Sequence, residues 1–110
     1  MSDIAKAPEP PYYTVIFANQ RSLEDEEGYQ VTAARMMELA AKQAGYLGAQ
    51  SARGTDGFGI TISYWRDLPS IHDWKQQSEH LKAQHLGKQK WYASFSLRIA
   101  KVERAYEFKK

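Results

Sequence analysis

Asn19, Trp74, His80 and His85 are the side chains of this sequence best equipped for chemistry. A carboxamide can donate a hydrogen bond to an oxygen on which charge develops, an indole offers a flat face to a planar ligand, and an imidazole can carry a proton or ligate iron. Three of the four fall in one stretch, from Tyr64-Trp65-Arg66-Asp67-Leu68-Pro69 to His85, with Trp74 nine residues after Trp65. His72, His80 and His85 stand eight and five residues apart, and neither interval is the His-x-x-x-His spacing that puts two imidazoles on one helical face. No metal site built by protein side chains is therefore expected. No Gly-rich phosphate loop, nucleophile elbow or dinucleotide fingerprint is present, which sets hydrolytic and nucleotide-dependent chemistry aside.

Each of these residues also has a plainer reading. A helical His is commonly half-exposed and satisfied by water, and a Trp on an apolar stripe is commonly core. Asn19 differs from them. It alternates in phase with Val15 and Phe17, so its amide points into apolar surroundings, where a polar group needs partners. Tyr64 and Trp65 point to opposite faces of their strand, so at most one of them lines a given pocket.

The elements that must position these groups are legible in the periodicity. Tyr12 to Asn19 alternates with two largely apolar faces and reads as a central strand. Ser22 with Asp25 three residues on resembles a capping box, predicting a helix from about Leu23 along Tyr29, Ala33, Met36, Met37, Ala40 and Ala44, with a left-handed exit at Gly45. Tyr46 to Arg53 and Phe58 to Trp65 flank the turn Gly54-Thr55-Asp56-Gly57 as a hairpin. Leu68-Pro69 opens a helical region on whose stripe Ile71, Trp74, Ser78, Leu81 and His85 fall if it runs straight; Ser78-Glu79 could equally start a second helix. Trp91, Ala93, Phe95, Leu97 and Ile99 then keep one strand phase and Val102, Tyr106 and Phe108 the other, predicting a bulge near Ala100 and Lys101 or a tail that pairs elsewhere. This order is the α+β, ferredoxin-like βαββαβ pattern, an antiparallel sheet with helices on one face. Apolar positions on both phases of the first and last strands leave the other face in need of cover, and a homodimer packed sheet to sheet supplies it.

Length and composition bound the rest. The 110 residues fit one domain, read as 12–108 after a flexible N-terminal lead-in 1–11 that holds three of the four prolines. Three Trp, seven Tyr and four Phe favour a packed core or an aromatic-lined cavity. A net charge of +2 is too small to advertise a nucleic-acid surface. The absence of cysteine excludes disulfides and fits a reducing, cytoplasmic setting, and no apolar run approaches the ~20 residues of a membrane span.

The βαββαβ order together with Tyr64-Trp65-Arg66-Asp67, Trp74, Ser78-Glu79-His80 and Trp91-Tyr92 resembles the antibiotic biosynthesis monooxygenase family over roughly Tyr12 to Phe108. The resemblance implies a homodimeric α+β barrel and a pocket between each sheet and its helices. It also implies a cofactor-independent monooxygenase acting on an aromatic or polycyclic small molecule. On that reading Asn19, Trp74 and His80 are the catalytic residues, Phe17, Tyr64 and Leu81 line the substrate pocket, and no cofactor is needed. The sequence is also similar to the heme-degrading branch, which uses an Asn late in the first strand, a Trp and an iron-ligating His. Asn19, Trp74 and His85 match those types, with one extra residue between Trp74 and His85 that turns a helical side chain by about 100°. A heme-binding monooxygenase with His85 as axial ligand is thus one alternative. A non-catalytic dimeric ligand-binding or stress protein on the same scaffold is the other.

Overall fold

The alternating segment at the start of the domain forms β1, Tyr12–Arg21, and the chain continues as α1 (Glu26–Ala41), β2 (Tyr46–Arg53), β3 (Phe58–Trp65), α2 (Leu68–Gln76), α3 (Ser78–Leu86) and β4 (Tyr92–Val102). The computed structural model describes residues 4–110, so the first part of the lead-in expected over 1–11 lies outside the described residues. The strands pair antiparallel in the order β2-β3-β1-β4, the ferredoxin-like arrangement expected from the element order.

Register sorts the strand residues by face. Tyr13, Val15, Phe17 and Asn19 of β1 pair with Trp65, Ser63, Thr61 and Gly59 of β3 and with Lys101, Ile99, Leu97 and Phe95 of β4. The helices cover this side, and the core sits there. Trp65 is fully buried against Ala40 of α1 and Ile71 of α2, with Tyr13, Val15, Tyr46 and Trp74 packed around them. Cover is incomplete at β4, where Phe95, Leu97 and Ile99 remain 44%, 51% and 48% exposed. An apolar strip therefore stays open beside the core on the helix side. On the other face Tyr64 meets Tyr12 edge to face, while Phe58 and Ile60 are exposed.

Three local expectations change. Helix α1 is capped by Asp25, whose carboxylate accepts from Gly28 N, while the Ser22 hydroxyl donates to Lys90 O. Asp25 also accepts from the Trp91 indole and pairs with Lys90, so the chain before β4 holds the cap where a local capping box at Ser22 would have started the helix earlier. The second helical region takes the two-helix alternative, broken at extended Gln77, but the Gln77 side chain, not Ser78, caps α3 by accepting from His80 N. The phase change in the last strand lies at Ala93. Gln20 pairs with Ser94 and Arg21 with Tyr92, so Ala93 is the extra residue of a bulge and Tyr92 turns to the helix side. Around Ala100 and Lys101 the pairing with Thr14 and Tyr13 is continuous, and β4 ends at Val102.

Candidate active site

Arg53, Gly59, Asn19 and Phe95 form one cross-strand row over all four strands. Gly59 is what lets its ends communicate. A Cβ there would meet Arg53 Cζ at 2.8 Å, so the missing side chain opens a path for the guanidinium across β3. Arg53 Nη2 thereby donates to Asn19 Oδ1 at 2.8 Å. This contact fixes the amide, since the flipped orientation would set donor against donor. Asn19 is 2% exposed, and its Nδ2 has no hydrogen-bond partner. A buried N–H without a partner costs about 1–3 kcal/mol, so such a donor needs an explanation.

Its surroundings are aromatic and cationic. The Phe17 ring lies 5.2 Å from Tyr92 and 5.4 Å from Phe95, forming a wall beside Asn19. Tyr92 belongs to that wall because the bulge at Ala93 rotates it there. Tyr29 of α1 faces Tyr92 at 5.9 Å, accepts from Arg53 Nη2 at 2.9 Å, and carries the Arg21 guanidinium 3.8 Å above its ring. Arg21 is buried, pairs with Glu26 at 2.6 Å and donates to Trp91 O. Burial, reinforced by the Tyr29 phenol, pushes the Tyr92 hydroxyl well up, so it stays protonated. Hydrogen bonds from Gln30 and Arg21 hold the Glu26 carboxyl below its ordinary range.

Trp74 and His80 lie towards the other end of the same face. Trp74 is sandwiched between Trp65, 6.2 Å away, and His80, 4.0 Å away, with ring planes within 24° and 16° of parallel. His80 Nδ1 is 2.9 Å from Trp74 O, an acceptor, so Nδ1 carries the proton and Nε2 presents a lone pair. Burial pulls the His80 pKa below its ordinary value and keeps the ring neutral. A bidentate Arg35–Glu79 bridge, with both bonds at 3.0 Å, ties this helix to α1. Trp65 pairs with Tyr13, six residues from Asn19, which is about 20 Å of strand. Asn19 and the Trp74–His80 pair are thus not brought together at one point; they stand at the two ends of a surface floored by Phe17, Leu97 and Ile99.

The other site expectations divide. Phe17 lies beside Asn19, as alternation requires. Tyr64 does not join it: paired with Thr14 and bonded through its hydroxyl to Gln50, it lies on the opposite sheet face, and Trp65 is the member of that pair facing the helices. Leu81 is 44% exposed on α3. His85 is exposed, and its place follows from helical geometry. Helix α3 turns His80, Ala83, Gln84 and then Gly87 inward, and His85 is about 140° round from His80. The break at Gln77 does not rotate it back, so these residues do not fit a heme held between sheet and helices by His85. A depression of about 260 Å3 touches Asn19, but Ala18, Gln20, Phe58, Ser94 and Ser96 place it on the opposite sheet face, away from Trp74. Among the described residues, no group of three or more His, Cys, Asp or Glu side chains could hold a metal ion, and no helix is long and apolar enough to cross a membrane.

Arg53, Tyr29, Arg21 and Tyr92 were not expected from the sequence. Gly59 was the available signal, a glycine interrupting an alternating strand opposite the arginine that ends its neighbour.

Residues 13–86 match the family described as antibiotic biosynthesis monooxygenase. The chain belongs to that family. The uncharacterized protein YqjZ of Bacillus subtilis is 48% identical over 104 residues, covering 94% of this chain and 90% of that one. Among solved structures, this member of the monooxygenase family is similar to SnoaB, a cofactor-independent oxygenase from Streptomyces nogalater, with a TM-score of 0.73 and 13% identity over 87% of this chain and 97% of that one. It is also similar to a Shewanella oneidensis protein, with a TM-score of 0.75 and 10% identity over 93% and 100% of the two chains. Identities this low speak for the fold alone.

Proposed function

We propose that this member of the antibiotic biosynthesis monooxygenase family is a cofactor-independent monooxygenase of an electron-rich aromatic or polycyclic small molecule. The observation that carries the reading is the unpartnered Nδ2 of buried Asn19 beside the Phe17, Tyr92 and Phe95 wall. The substrate's ring system lies along Phe17, Leu97 and Ile99 with one oxygen at Asn19. As an activated methylene carbon is deprotonated, charge moves onto that oxygen and Asn19 Nδ2–H stabilises it. The carbanion reduces O2. One oxygen atom stays on the carbon as a carbonyl and the other leaves as water with the two methylene hydrogens, so that one methylene and one dioxygen become one carbonyl and one water. The released methylene proton passes to solvent at the open β4 side, while Trp74 and His80, about 20 Å of strand from Asn19, form the far end of the surface. Leu81 closes the helix side of the cleft.

The test is O2 uptake by chelator-treated protein, with no flavin, nicotinamide or metal added, over a panel of polycyclic phenols with an activated methylene. Saturable uptake yielding a carbonyl product supports the reading; no uptake over the panel overturns it. A non-catalytic ligand-binding role is favoured by one observation, that the depression at Asn19 opens away from Trp74. It predicts ring binding without O2 uptake.

A homodimer belongs to the same reading. Exposed Phe58 and Ile60 on the open sheet face, and the tail residues Tyr106 and Phe108 at 96% and 84% exposure, are the surfaces it covers. A cytoplasmic setting is inferred from the cysteine-free sequence.

A further inference from the structure

The charge at the Asn19 end is not balanced. Arg21 and Arg53 bring two guanidiniums, and the Glu26 carboxylate beside them is occupied: Oε1 accepts from Arg21 and Oε2 from Gln30. Arg53 has no carboxylate partner among the described ion pairs. Its N–H groups reach Asn19 Oδ1, Tyr29 Oη and Gly57 O, and a guanidinium has five of them. Arg53 is exposed and its remaining donors meet solvent, whereas the orphaned Nδ2 beside it belongs to Asn19, a residue only 2% exposed. The Asn19 donor asks for an acceptor, and beside a guanidinium that has no carboxylate partner among the described residues an ionised one is favoured. The site also lacks a free base at this end, since Glu26 is doubly bonded and both phenols are bonded or buried.

We propose that Arg53 and the Asn19 amide anchor an ionised oxygen, phenolate or carboxylate, on the aromatic ligand, so that the ligand is held as an anion. This deepens the reading of the same site as an aromatic-substrate site, and rests on it. Phe17 and Phe95 hold the ring, Arg53 supplies the charge, and Asn19 Nδ2 supplies the directional bond. Gly59 is part of the anchor because it keeps the guanidinium over the row.

The experiment compares 2-naphthoate with 2-naphthamide, and 2-naphthol below and above its ionisation, by quenching of intrinsic fluorescence in wild type, Arg53→Gln and Arg53→Lys. Wild type is expected to bind the naphthoate at least tenfold more tightly than the amide, or the naphthol tenfold more tightly once ionised. The first result identifies a carboxylate site and the second a phenolate site. The preference should vanish in Arg53→Gln and survive in part in Arg53→Lys, which keeps the charge. Equal affinities for charged and neutral ligands, or a preference that persists in Arg53→Gln, would overturn the anchor. If the Gln variant does not fold, the wild-type comparison and the Lys variant still decide. Anion preference without O2 uptake would sink the oxygenase reading alone, and uptake on neutral rings without anion preference would sink the anchor alone.

Discussion

Arg53 reaches across the bare backbone of Gly59 to hold Asn19 Oδ1 at 2.8 Å, and by doing so leaves Asn19 Nδ2 as a buried donor of fixed direction. One contact thus determines which end of the amide is offered to a ligand. Pre-aimed donors cost no reorganisation when charge develops on a substrate oxygen, which is why they accelerate reactions.

Gly59→Ala tests that relationship without touching either partner. The new Cβ would lie 2.8 Å from Arg53 Cζ and 3.0 Å from Ala52 O, so the flexible guanidinium must leave the amide and the β2 backbone must give slightly. Oxygenation should fall about tenfold or more, with kcat affected more than KM and the chain still folded by circular dichroism. Unaltered steady-state kinetics would show that the Arg53 contact does not position Asn19.

Trp74→Ala separates packing from chemistry. Trp74 is stacked between Trp65 and His80, so truncation should cost about 3 kcal/mol or more in chemical denaturation. Trp74→Phe keeps a flat ring and should recover much of that loss. A truncation with no effect on the denaturation midpoint would contradict the stacked core.

His80 makes stability depend on pH in a defined direction. Burial lowers its folded pKa below the ordinary value of 6.5, so the neutral form is favoured in the folded protein. The unfolded chain takes up the proton first, and stability that is complete above 6.5 is lost as pH falls through the folded pKa. In a pH series of thermal melts, wild type should lose stability more steeply than His80→Gln as pH falls from 6.5 towards the folded pKa. Parallel curves would mean that His80 does not titrate as argued.

Deleting Glu103 to Lys110 removes Tyr106 and Phe108, which are nearly bare on the single chain. If these rings embrace a partner, size-exclusion chromatography with light scattering should report monomer or aggregate for the truncated chain. A dimer indistinguishable from the full chain would remove the tail from the interface.

Much of the scaffold was legible because it depends on local periodicity. The bounds of β2 and β3 follow from alternation on either side of Gly54-Thr55-Asp56-Gly57, and Asn19 stood out because its phase put an amide among apolar neighbours. What the sequence concealed depends on contacts distant in the chain. Asp25 caps α1 with support from Trp91 and Lys90, so no local pattern announces it. The bulge at Ala93 appears only when β4 is laid against β1, and it decides that Tyr92, not Ala93, enters the aromatic wall. Arg53 looked like any charged residue ending a strand. Its role requires knowing that Gly59 and Asn19 stand in its row. Tyr64 and His85 went to the wrong faces for the pocket for the same reason, since phase relative to the sheet and to α3 is set by packing.

The most direct test of the oxygenase reading is the rate of carbonyl product formation by wild type and Asn19→Ala, with isotopically labelled O2 and a polycyclic phenol turned over by the wild type. Wild type should place one labelled atom in each product molecule, while Asn19→Ala falls about 100-fold in kcat/KM and keeps its stability within about 1 kcal/mol, because an unpaired buried donor leaves with the lost bond. Equal rates in the two proteins, or product oxygen drawn from water, would contradict the role given to Asn19 and to dioxygen.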